Sequence, residues 1–182
     1  PAIYLTADYP GLEAALDRLL AEAGRPPLAG VAACAAGPVE GRGGEARIAM
    51  TNCPWDVTAK TLARVTGVEA PRLMNDFAAL ALSLPGLRPF ELASVGPARE
   101  AVPGEPVGLL GAGTGLGVAS LVFAGGREIA LPGEGGHVDL AAGNDREAAV
   151  IAHLRMRYGH VSAERVLSGP GLVTLYMALA AM

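Results

Sequence analysis

Glu134 and His137 stand three residues apart, separated by two glycines, in the stretch Leu-Pro-Gly-Glu-Gly-Gly-His-Val-Asp-Leu at 131–140. A carboxylate accepts hydrogen bonds on both oxygens, and a neutral imidazole donates from one nitrogen and accepts at the other. Glycines between the two permit a tight backbone and leave room for a ligand. The combination suits a polyhydroxylated ligand, each hydroxyl of which offers a donor and an acceptor; the plain alternative is a polar turn.

Asn75-Asp76 is a second pair, set where a short strand ends and an apolar helix begins. A carboxylate there is held rigidly, its charged form favoured by the helix N-terminus and opposed by burial. It is suited to act as general base toward an alcohol within hydrogen-bond reach. The competing expectation is that one of the pair is simply the helix N-cap. The third feature is the glycine run 111–117, Gly-Ala-Gly-Thr-Gly-Leu-Gly. It lacks the Gly-Lys-Ser/Thr of a P-loop. It is not a dinucleotide fingerprint either, since Leu116 holds the third glycine position and a strand, not a helix, follows. A glycine-rich hairpin can still offer backbone N–H groups and the Thr114 hydroxyl to phosphate oxygens, although such turns also arise for steric reasons alone. Glu164, in Ser162-Ala163-Glu164-Arg165, lies in the first turn of a short helix, where a carboxylate serves as ligand or as cap. Arg165 reads as its structural neighbour.

The elements that must position these residues follow from periodicity and punctuation. Residues 10–23 form an amphipathic helix, with Leu12, Ala15, Leu16, Leu19 and Ala23 on one face and Gly24 at its end. Short strands are expected at 31–35, 47–51 and 72–74. Asp56 is placed to cap a helix that runs to Val65 or Thr66 and closes at Gly67. Phe77 to Leu84 is apolar all round, which predicts a buried helix. Strands are expected at 107–111, 117–123 and 127–131, then a helix from Asn144 or Asp145 to Tyr158. Ser162 caps a short helix and Gly171 starts the last one. The order is α/β with a hairpin-rich second half. The Pro-, Gly- and Ala-rich segment 87–106 is the candidate domain junction, dividing residues 1–86 from 87–182.

With 182 residues, 51% hydrophobic and 18% charged, a buried core is feasible and disorder is not expected. The net charge is −4 and the basic residues, one lysine and otherwise arginine, form no basic stripe, so no nucleic-acid partner is expected. Cys34 and Cys53 are isolated in sequence and read as two reduced, partly buried thiols of a cytosolic protein. The uncharged stretch 107–126 is too glycine-rich at its centre for a membrane helix and lacks basic flanks. No membrane partner is expected.

The order of these segments carries more than any one of them. Asn-Asp-Phe, then Gly-Ala-Gly-Thr-Gly-Leu-Gly, then Leu-Pro-Gly-Glu-Gly-Gly-His, then Gly-His-Val-Ser-Ala-Glu-Arg-Val-Leu-Ser-Gly-Pro-Gly-Leu closely resembles bacterial glucokinase. The match is closest over 111–175 and looser from Asp8-Tyr9-Pro10 through Met50-Thr51-Asn52. The resemblance implies a ribonuclease H-like, actin/hexokinase two-domain fold, with residues 1–86 in a small α/β domain, 87–182 in a large one, and a cleft between them. It implies transfer of the γ-phosphoryl group of ATP, with Mg2+, to the 6-hydroxyl of glucose in the cytoplasm. Asp76 would be the general base, with Asn75 beside it on the sugar. Glu134, His137 and Glu164 would grip the remaining hydroxyls, and Gly113, Thr114 and Gly115 would form a phosphate loop. A homodimer is common in such a family.

One departure is expected to matter. The Asp-x-Gly-Gly-Thr phosphate loop and the adenine-holding segment expected from the resemblance are absent from these residues, so the chain reads as an incomplete fold and, alone, as nearly inactive. Two other expectations compete with a kinase: a sugar-binding regulator on the same fold, and a non-catalytic fragment whose polar residues only cap helices. A regulator would carry a DNA-binding helix-turn-helix or a cysteine-rich zinc motif, and neither is visible here.

Overall fold

Leu12–Glu22 folds as helix α1, and strand β1, Ala32–Ala35, follows a proline-rich connection. These elements come from a computed structural model that describes residues 1–50, 53–97 and 102–182. Two compact units emerge, Pro1–Ala79 and Leu80–Met182.

In the first unit β1 pairs in parallel with β4, Arg72–Asn75, in a register that sets Cys34 beside Met74 and Ala35 beside Asn75. A parallel pair requires a crossover, and this one contains β2 (Arg47–Ala49), β3 (Asp56–Thr58) and helix α2 (Ala59–Thr66). Ile48 of β2 lies opposite Val57 of β3. Both are buried with Ala35, and Leu12, Ala33, Met50 and Leu73 pack on them. The expectation for 47–51 holds through Ala49; Thr51 lies outside the described residues.

Asp56 is not the cap of α2. It belongs to β3 and lies opposite Ala49, because Val57 must enter the core and the strand therefore runs on to Thr58. The cap is Thr58, whose side-chain oxygen accepts the Thr61 N–H at 3.0 Å. Gly67 closes the helix at φ 74°, the left-handed conformation that glycine adopts without penalty, and its N–H reaches the Ala63 carbonyl. Cys34 is exposed, not partly buried, because alternation along β1 turns residues 32 and 34 outward while Ala35 is buried; Cys53 is half-buried, and both thiols are free.

Helix α3, Asp76–Ser83, straddles the boundary of the two units. It is not buried all round: Ala78 and Ala81 are buried, whereas Leu80 and Leu82 are exposed. Only Ala78 and Ala81 are fully packed, and Phe77 and Ala79 are half-buried. Hydrophobicity alone does not reveal which face is packed.

In the second unit β5 (Val107–Ala112), β6 (Leu116–Ala124) and β7 (Arg127–Gly133) form an antiparallel meander. Gly125 and Gly126, at φ 57° and 70°, make the two-residue turn between β6 and β7 that positive φ at both positions requires. The stretch 107–126 is thus strand and hairpin. Among the described residues no helix is long and apolar enough to cross a membrane.

Helix α4, Asp145–Tyr158, is capped by Asn144, whose side chain accepts the Glu147 N–H at 3.0 Å, while the Glu147 carboxylate accepts the Gly143 N–H at 2.7 Å. Val150, Ile151 and Leu154 of α4 form a buried cluster with Val161, Val166 and Ala178. Helix α5, Gly169–Ala181, starts two residues before Gly171, because Ser168 is its cap. Ser162 occupies the N-cap position of the short 3-10 turn Ala163–Arg165, yet its buried side chain makes no capping bond. Arg165 stacks over the Tyr158 ring at 4.7 Å, a neighbour of the site and not part of it.

Glu13 of α1 and Arg64 of α2 form a two-pronged ion pair that ties these helices together, one prong measuring 2.6 Å. The hydrogen bond from Arg64 holds the Glu13 carboxyl below the usual glutamate range, against a smaller opposing effect of desolvation. A depressed carboxylate contributes stability that is present above its unfolded pKa and lost as pH falls through its folded one. The Glu13→Gln protein should therefore be less stable than the parent at neutral pH, by a small margin since both groups are exposed. That margin should shrink as pH falls through the ordinary glutamate range and vanish once pH lies below the depressed folded value. Urea unfolding at several pH values checks this, and a margin independent of pH would refute it.

Candidate functional site

Glycine spacing allows three loops of the second unit to interlock. β7 ends at Gly133, opposite Val118, and the chain then turns through Glu134 into the 3-10 turn Gly135–His137. Gly136 is buried, and a Cβ there would collide with the Leu116 carbonyl at the start of β6. A Cβ on Gly135 would press on the Val118 side chain at 3.0 Å. These close approaches seat the turn on the strand and hold Glu134 and His137 at its rim. The His137 N–H donates to the Glu134 carbonyl at 3.0 Å.

Glu164 comes from the opposite side. Its turn is pinned by Leu140 N–H to Val161 carbonyl and Ala163 N–H to Val138 carbonyl, both at 3.0 Å. One carboxylate oxygen accepts the Leu116 N–H at 2.9 Å, so the side chain reaches the hairpin and does not cap its own helical turn. The other lies 4.0 Å from His137 Nδ1, and His137 Nε2 lies 3.6 Å from a Glu134 oxygen. Both separations exceed hydrogen-bond length. The three tips converge without saturating one another. Glu134 and His137 are well exposed, at 79% and 63% of the side chain, whereas Glu164 is at 32%, as its structural contact requires.

The glycine run is the turn between β5 and β6, with Ala112 opposite Leu116. Its own donors are partly spent. The Gly113 N–H bonds the Gly115 carbonyl and the Gly113 carbonyl accepts the Gly169 N–H, each at 2.8 Å. Among the described residues the N–H groups of Thr114 and Gly115 donate to nothing, and Thr114 is exposed. Since Gly169 is the first residue of α5, the positive end of that helix abuts the turn. Ser168 joins the two features: its hydroxyl donates to the Glu164 carbonyl at 2.9 Å and accepts the Gly171 N–H at 3.0 Å. Neither Ser168 nor the Leu116 amide was expected from sequence. The only signal was the recurrence of glycine at 115, 136 and 169, each of which faces another of these loops.

In the first unit Asn75 is the cap of α3. Its side-chain oxygen accepts the N–H groups of Phe77 at 2.9 Å and Ala78 at 3.1 Å, and its amide donates to the Gly37 carbonyl at 3.2 Å. Asn75 therefore has one N–H left for a ligand. Asp76 is half-buried, and one of its oxygens shares the Phe77 N–H at 2.9 Å. The other accepts no hydrogen bond among the described residues. The cap and the free carboxylate are thus different members of the pair. An open groove of about 620 Å3 along α1 and α2 holds none of these side chains, and its Glu13, Asp17, Arg25 and Arg64 are paired with one another.

The fold places the chain in the hexokinase-like class. Glucokinase from an Antarctic psychrotroph superposes with a TM-score of 0.83 at 32% identity, covering 98% of this chain and 54% of that one. Glucokinase from Balamuthia mandrillaris, solved in complex with glucose, shares the fold at a TM-score of 0.68 and 19% identity, over 93% of this chain and 51% of that one. The glucokinase family model matches residues 1–182, and the chain belongs to that family. Glucokinases of Citrobacter koseri and Salmonella typhi are each 44% identical to it over 176 residues, which is 97% of this chain and 53% of theirs. The chain spans about half the length of the curated relatives it matches.

The seating of the 3-10 turn is open to test. Gly136→Ala should destabilise the protein by about 1–3 kcal/mol, because the clash is with backbone and not with a flexible tip. Denaturant unfolding measures it, and a variant as stable as the parent would show that the Leu116 carbonyl does not confine this turn.

Proposed function

We propose that this chain supplies the sugar-binding and base-bearing part of a glucokinase, which transfers the γ-phosphoryl group of ATP to the 6-hydroxyl of glucose. The observation that carries it is the convergence of Glu134, His137 and Glu164, unsaturated by one another, beside the Gly113–Gly115 turn. The carboxylates accept from sugar hydroxyls and the imidazole both donates and accepts. Family membership and the glucose complex of the Balamuthia relative support the choice of sugar.

Asp76 is the general base, because its second oxygen is uncommitted while Asn75 does the capping. Asn75 contributes its remaining N–H to the sugar. The free N–H groups of Thr114 and Gly115, the Thr114 hydroxyl and the positive end of α5 receive phosphate oxygens, whereas Gly113 serves the turn by its shape. In this reading residues 1–86 belong to the small domain and 87–182 to the large one.

Mg2+ would neutralise phosphate charge on the nucleotide. The ion is proposed to arrive on ATP, because Mg2+ keeps several waters and is usually held through substrate phosphates. The complete protein is proposed to act in the cytoplasm and, as a family habit, as a homodimer. These residues alone should turn over glucose very poorly, since they carry no Asp-x-Gly-Gly-Thr loop.

A coupled assay of glucose phosphorylation by the complete protein is the direct test, and no turnover with glucose and MgATP would sink the proposal. Asp76→Ala should lower kcat by about 100- to 10,000-fold with little change in sugar affinity. The Asn75 cap remains in that variant, so the helix should still form. Collapse of sugar binding with kcat preserved would take the base role from Asp76.

A further inference from the structure

The Glu164 carboxylate divides its two oxygens between two tasks. One faces His137 at 4.0 Å, on the side proposed to hold the sugar. The other takes the Leu116 N–H at 2.9 Å, and Leu116 is the residue that resumes β6 directly after the Gly113–Gly115 turn. That turn has little shape of its own. Two of its three residues are glycines, whose backbone freedom is costly to restrain, and the single hydrogen bond within it joins Gly113 to Gly115. Its shape is therefore imposed at its two ends. The Gly169 N–H holds the Gly113 carbonyl at one end, and Glu164 holds the Leu116 amide at the other.

We propose that Glu164 is a positioning residue for the nucleotide phosphate loop, in addition to any contact it makes with sugar. Through Leu116 it fixes the direction in which the free N–H groups of Thr114 and Gly115 point, so its loss weakens nucleotide binding at a distance. The proposal rests on the glucokinase reading of the site. Gly115 is part of the same device: a Cβ there would fall on the Glu164 carboxylate. Its backbone is not among those held at positive φ, so alanine is sterically allowed in the main chain. Gly115→Ala thus expels the carboxylate from the Leu116 N–H while leaving Glu164 chemically intact.

The test is steady-state kinetics of the complete protein, with KM for ATP measured at saturating glucose and KM for glucose at saturating ATP. Glu164→Ala and Gly115→Ala should each raise KM for ATP about tenfold, the equivalent of one lost charge-assisted hydrogen bond. Glu164→Gln keeps an oxygen for the Leu116 N–H, so its KM for ATP should stay near the parent's while KM for glucose rises. An unchanged KM for ATP in both alanine variants, with only KM for glucose raised, would make Glu164 a sugar ligand alone. Lower melting temperature and fewer active sites with both KM values unchanged would make it a structural residue alone. Either result overturns the inference and leaves the glucokinase reading standing. A parent protein that fails to phosphorylate glucose overturns both. Should a variant fold poorly for kinetics, calorimetric titration of its folded fraction with ADP reads the same effect.

Discussion

The bond from the Leu116 amide to the Glu164 carboxylate joins two segments that lie 48 residues apart, and the architecture of the site depends on it. A buried or half-buried N–H needs a partner, and here the partner is a charged side chain and not a neighbouring strand. That choice draws the turn at 163–165 against the β5–β6 hairpin. It also spends half of a carboxylate that would otherwise be free for ligand. Glycines at 115, 136 and 169 make the approach feasible by removing the atoms that would keep the loops apart. Loop positions held this closely lose little further entropy when a ligand orders them.

The same economy governs the other unit. Asn75 accepts two N–H groups of the first turn of α3 and anchors to the Gly37 carbonyl, and Asp76 keeps one oxygen uncommitted. A carboxylate is positioned and yet available only when a different residue meets the capping demand. In both units one polar residue satisfies backbone and its neighbour, or its own second oxygen, is left uncommitted. Ser168 extends the pattern by capping α5 and holding the Glu164 carbonyl with a single hydroxyl.

Much of the fold was legible as pattern. Helix α1, the three strands of the meander and the helix capped by Asn144 follow from apolar spacing, glycine punctuation and cap chemistry, all of which act within a few residues. Where the expectation failed, a long-range demand had overruled a local signal. Asp56 has good capping chemistry, yet Val57 was required opposite Ile48 and the helix began after Thr58. The apolar run of α3 suggested uniform burial, but Ala78 and Ala81 face inward and Leu80 and Leu82 outward, a distinction that hydrophobicity does not encode. Cys34 shows the same limit, since exposure along a short strand depends on which face receives the core.

By itself the sequence determined the residue types at the site, their order, and the family they belong to, because side-chain chemistry and motif order are local properties of the chain. Tertiary structure alone decided how each group is used. Glu164 could have capped its own turn, but it reaches the hairpin because the Leu116 amide there needs an acceptor. Gly113 could have offered its N–H to a ligand, but it is closed on Gly115. Hydrogen bonds are shared out only when distant segments meet. Which donors and acceptors remain for a ligand is therefore a property of the folded whole.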